Sequence, residues 1–150
     1  MANSSILLII STILLLLSFS SLSHGLKLNG LEIGSVRING LLYCSVNGNL
    51  IRNSAPLPGA LVSLSCGGRT ELGQALTDPA GAFTVVVKLL DTILFDPSRC
   101  FINVNLPGAD CSVFPPDGVL TASLSLVNVV QSALGNIAYF TVGPFVHSVI

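Results

Sequence analysis

Charge is scarce in this chain of 150 residues: Lys and Arg number six, Asp and Glu seven, and the formal net charge is −1. A nucleic-acid-binding surface needs Lys and Arg gathered on one face. Electrostatic attachment to anionic lipid needs a basic segment. Neither is present, so the sequence speaks against nucleic acid as a partner and against a cationic, membrane-lytic mode of action. Trp is absent and aromatics make up 6% of the chain. Rings that could stack on a sugar are therefore few: Tyr43, Tyr139 and the Phe residues.

Catalytic signatures are missing as well. There is no G-x-S-x-G elbow and no H-E-x-x-H helix. A Ser-His-Asp site needs a buried, oriented imidazole. His24 and His147 lie near the two ends of the chain, and His147 reads as a solvated tail residue. Asp78, Asp91, Asp96, Asp110 and Asp117 all fall in expected loops. Aspartates in such places bond to the local backbone, and no pair stands out as the two flanking carboxylates of a glycosidase. The cysteines lack the close pairs of a zinc site. The expectation is a protein that is not an enzyme, with no cofactor and no metal.

The opening of the chain is distinctive. Residues 6–17 form an apolar run broken only by Ser11 and Thr12, followed by Ser18, Ser20, Ser21 and Ser23. This is the layout of a secretory signal peptide, and the run is short of the roughly 20 residues that span a bilayer. The sequence is read as a signal peptide over 1–25 and one domain over 26–150. It predicts secretion, with no membrane span after cleavage. Cys44, Cys66, Cys100 and Cys111 all follow the leader. An even count in a secreted chain implies two disulfides, and spacing alone leaves three pairings open.

Period-two alternation recurs between turn signals. Residues 35–46 place Val36, Ile38, Leu42, Cys44 and Val46 on one face. Residues 60–66 do the same with Val62, Leu64 and Cys66, and residues 100–106 with Cys100, Ile102, Val104 and Leu106. Weaker or more β-branched strands are expected over 70–77, 82–89, 119–130 and 137–142. Residues 124–134 have a helical alternative, which their Val, Asn and Ser content disfavours. Asn47-Gly48 and Asp78-Pro79-Ala80-Gly81 supply turns. The predicted class is all-β, an antiparallel sandwich or barrel of about seven strands.

Three segments carry a resemblance. They are Gly40-Leu41-Leu42-Tyr43-Cys44, Pro58-Gly59-Ala60-Leu61-Val62-Ser63-Leu64-Ser65-Cys66 and Asp78-Pro79-Ala80-Gly81-Ala82-Phe83. With them, the chain from about Gly40 onward resembles the plant pollen-allergen/extensin-like family, named for the major olive pollen allergen. Within that likeness, Tyr43-Cys44-Ser45-Val46-Asn47-Gly48-Asn49-Leu50 is similar to the phylloplanin family of secreted leaf-surface proteins, as are Ser123-Leu124 and Leu126-Val127-Asn128. The turn-and-strand pattern also resembles transthyretin-like modules.

The resemblance implies a β-barrel or sandwich without catalysis, and bridges Cys44–Cys111 and Cys66–Cys100. The family's fuller pattern has six cysteines; here Asn47 occupies one of the two missing positions and no cysteine follows Cys111. The likeness to phylloplanins implies a defence protein of the apoplast or leaf surface that inhibits fungal or oomycete spores. Its partner would be a component of cuticle, cell wall or microbial surface. The alternative is a cell-wall module that binds polysaccharide or glycoprotein, and a third reading is a carrier of a small apolar ligand inside a barrel.

Overall fold

A computed structural model describes residues 26–149, apart from 29, 69, 90–94, 108–109 and 134. The expected signal peptide lies outside the described residues. In chain order the elements are β1 (Lys27–Leu28), β2 (Leu31–Glu32), β3 (Ser35–Leu41), β4 (Tyr43–Cys44), β5 (Ala55–Pro56), β6 (Leu61–Cys66), β7 (Thr70–Leu76), β8 (Ala82–Lys88), a single 3-10 turn (Pro97–Arg99), β9 (Cys100–Asn105), β10 (Val119–Ser132), β11 (Gly135–Val142) and β12 (Val146–Ser148). The all-β expectation holds, and residues 124–132 are strand, not helix.

One eight-stranded sheet dominates, in the order β7-β6-β9-β10-β11-β3-β8, with β12 beside β10. Its ladders are antiparallel except β11 with β3, which is parallel. That pair departs from the purely antiparallel expectation. It joins strands far apart in sequence, so no hairpin dictates their direction. β10 holds the two halves together. Val119 to Ser123 pairs with β9, and from Leu124 onward the strand pairs with β11. A bulge between Leu126 and Asn128 sets Leu126 opposite Phe140 and Val129 opposite Ala138. The extra residue thus keeps apolar side chains on the inner face as the strand bends.

The sheet curls until its outer strands meet. A Cβ built on Gly73 of β7 would lie 2.9 Å from Val85 Cγ1 and 3.6 Å from the Val86 carbonyl of β8. Only a residue without a side chain allows that approach, and the result is a nearly closed barrel. Closure leaves fewer unpaired strand edges in the open. Inside, Val36 and Ile38, Val62 and Leu64, Phe83 and Val85, Ile102 and Val104, Leu120, and Ala138 and Phe140 are buried in one cluster. Each such large side chain contributes about 1.5–3 kcal/mol of burial. The barrel is filled by its own residues, which gives the carrier reading no support.

Two local expectations are corrected. The strand expected over 35–46 stops at Leu41 and resumes only for Tyr43–Cys44. Beyond that break the alternation is lost: Val46 is 65% exposed and Ser45 is buried. The Ser45 hydroxyl donates to the Asn49 carbonyl at 2.7 Å, so a polar loop replaces the ladder. His147 is no solvated tail. It sits in β12, pairs with Leu120, is half-buried, and its Nε2–H donates to the Asp117 carbonyl at 2.9 Å.

The Thr77-Asp78 turn shows how a short motif fixes a strand junction. The buried Thr77 hydroxyl donates to the Leu57 carbonyl at 2.6 Å and accepts from the Ala60 N–H at 2.9 Å. Asp78 Oδ1 accepts from the N–H groups of Ala80 and Ala82. Gly40 of β3, the register partner of Phe83 on β8, makes room for that side chain: a Cβ there would run into the Phe83 ring. Adding one methyl forces the buried ring to move. Gly40→Ala is therefore expected to lower the unfolding free energy by about 1–3 kcal/mol in urea titration.

Candidate functional site

The segment from Tyr43 to Leu50 folds over one end of the barrel. The Tyr43 N–H donates to the Gly48 carbonyl, which closes the loop. Gly48 has φ +83°, and a Cβ on it would lie 2.9 Å from Leu42 Cδ1 and 3.0 Å from Leu120 Cδ1. Glycine is needed there twice over, for the left-handed backbone and for the approach to the core. Asn47 Oδ1 accepts from the Asn49 N–H at 3.2 Å. The Asn49 amide then grips the chain beyond β11: Nδ2 donates to the Phe145 carbonyl at 2.9 Å, and Oδ1 accepts from the Phe145 N–H at 2.7 Å.

A covalent tie completes the loop. Cys44 bonds to Cys111 with a Cα–Cα distance of 5.5 Å, joining it to the stretch that precedes β10. The second bridge, Cys66–Cys100, spans register partners on β6 and β9 with a Cα–Cα distance of 4.1 Å, and both sulfurs are buried. These are the pairings that the resemblance implied, and they do not converge on one site. Each pins a different region.

Between this loop and the end of β11 runs an open groove of about 260 Å³. Gly40, Leu41, Tyr43, Asn49, Leu50 and Phe145 line it, together with residues 141–143. No Asp, Glu, Lys, Arg or His is among the lining residues. Around it Leu41 is 50%, Leu50 67% and Ile51 51% exposed. These exposed apolar side chains, with Leu41 at the end of β3 and Leu50 and Ile51 on the loop, border the groove. The sequence reading missed Leu50 and Ile51 as surface residues, and Phe145 as a buried partner of the loop. Asn49 two positions after Asn47, with an apolar pair directly following, was the available signal, but its partner lies 96 residues away.

Two of the carboxylates expected to serve turns, Asp78 and Asp96, do so. Asp78 caps its own turn, and Asp96 Oδ1 accepts from the N–H and hydroxyl of Ser98. Asp91 lies outside the described residues. Among the described residues no group of three or more His, Cys, Asp or Glu is placed to hold a metal ion. No helix among them is long and apolar enough to cross a membrane.

Fold and surface define a small, disulfide-tied β-barrel with an uncharged loop at one end, beside which Leu41, Leu50 and Ile51 are exposed. Residues 32–149 match the family described as phylloplanin antifungal protein, and the chain belongs to that family. It is 35% identical over 100 residues to phylloplanin of Nicotiana tabacum, a match covering 63% of this chain and 63% of that protein. The aligned part thus spans just under two-thirds of the relative's length. No solved structure matches. These matches show the phylloplanin part of the resemblance and do not show membership of the pollen-allergen/extensin family.

Asn49 is the polar clamp of the site. Asn49→Ala removes both bonds to Phe145 and leaves its backbone groups unpaired in a part-buried position. The expected cost is about 1–3 kcal/mol in denaturant unfolding. Faster proteolysis between residues 45 and 55 should accompany it.

Proposed function

We propose that this is a secreted, non-enzymatic plant surface protein, released after removal of residues 1–25, that inhibits fungal or oomycete spores by adhering to them or to the surface they land on. One observation carries the reading: the apolar rim formed by Leu41, Leu50 and Ile51 on the covalently tied loop. That loop holds the segment similar to phylloplanins and lies inside the matched residues. Near-zero net charge makes steering by a strongly charged surface a poor basis for attachment. Burial of apolar side chains works at any ionic strength and suits a waxy or protein-coated surface. Turns already occupy Asp78 and Asp96, which supports binding over acid–base chemistry.

The test uses the purified chain from residue 26 onward. It should slow spore germination in a dose-dependent way and adsorb to isolated cuticle, with no turnover of glycan or ester substrates. The double variant Leu50→Asp with Ile51→Asp changes exposed side chains only, so its stability should stay within about 0.5 kcal/mol of the parent. Its adsorption and inhibition should fall several-fold. Full inhibition by the variant would remove the rim from the account. No inhibition by the parent, or turnover abolished by one Asp substitution, would overturn the reading itself.

A further inference from the structure

The outer face of β9 carries a partly exposed aromatic ring. On β9 the side chains of Cys100, Ile102 and Val104 are buried, so Phe101 and Asn103 point outward. Phe101 is 41% exposed, and it is the one aromatic among the exposed large hydrophobic side chains described. Its cross-strand neighbours are Ser65 on β6 and Ser123 on β10. The hydroxyl side chains on both sides are small, and part of the ring's surface stays open to solvent. In the next row, Asn103 lies opposite Thr121. The Cys66–Cys100 bridge joins the residues immediately beside Ser65 and Phe101 and holds the two strands in register.

We infer that this face is a binding site for a neutral, hydroxyl-rich polysaccharide, with Phe101 as the stacking platform. A pyranose presents a flat face of C–H groups, which an exposed ring accepts without a pocket. The hydroxyl and amide groups of Ser65, Ser123, Asn103 and Thr121 flank that ring and match sugar hydroxyls as both donors and acceptors. Strands repeat at about 4.8 Å, so a chain lying across them meets a polar side chain at each step. The one ionised side chain in these rows is Glu71, beyond Ser65 at the β7 edge. With the exposed Arg99 two residues before Phe101, the face carries one charge of each sign and no concentrated charge to hold an anionic polymer, which fits neutral glucans. Ser123 adjoins Gly143 at the edge of the groove, but the ring and its flanking groups do not include Leu50 or Ile51, and the inference does not depend on the spore-inhibition reading.

Affinity electrophoresis of the purified chain from residue 26 onward tests it, with laminarin and xyloglucan as neutral probes and polygalacturonate as the anionic one. Retardation by at least one neutral glycan, and less by polygalacturonate, is expected. Phe101→Thr keeps a β-favouring residue on the strand and should weaken binding about tenfold, the loss of one stacking contact. Phe101→Tyr keeps the ring and should bind as the parent does, which separates loss of the platform from loss of the fold. The rim variant, Leu50→Asp with Ile51→Asp, should also bind as the parent does. No retardation of the parent by either neutral probe would overturn the inference. So would equal retardation of Phe101→Thr, or stronger retardation by polygalacturonate.

Discussion

Two covalent bonds organise everything else on this barrel. Cys44–Cys111 closes a separation of 67 residues and Cys66–Cys100 one of 34 inside it. In the chain-entropy account each removes about 4 kcal/mol worth of freedom from the unfolded chain. Their positions matter more than their sum. The outer bridge begins next to Tyr43 and fixes the loop that caps the barrel end. The inner bridge lies next to Phe101 and Ser65 and fixes the register of the polar face. Each contact surface thus stands beside one sulfur pair.

Closure of the sheet is the second constraint. An eight-stranded sheet leaves two outer strands, and those edges invite pairing with other chains. Here Gly73 lets β7 approach β8 closely, and the bulge at Leu126/Asn128 bends β10 while preserving its inner face. The exterior is then free to be sparsely charged. A protein so poor in charge has little electrostatic steering.

Most of the framework was legible in the residues. The alternation over 60–66, 82–89 and 100–106 names buried side chains that the structure confirms, because both faces of a sheet strand are set by a fixed period. The bridges followed from family likeness, since four cysteines leave the pairing undetermined. Alternation failed at Ser45 and Val46, where local hydrogen bonds to Asn49 outcompete the ladder. It also missed β12 and the parallel β3–β11 pair, because long-range pairing leaves no local signature. The apolar rim was hidden for a similar reason: Leu50 and Ile51 look like any other hydrophobic residues until the loop is closed by a partner distant in sequence. Phe101 was readable as outward-facing, but its isolation among serines belongs to the register of three strands.

Non-reducing peptide mapping of the purified protein tests the framework most directly. The account predicts one peptide pair joining Cys44 to Cys111 and another joining Cys66 to Cys100, with no free thiol. Peptides joining Cys44 to Cys66 and Cys100 to Cys111 would contradict it, because those bonds would untie the end loop and release the register on which both surfaces rest.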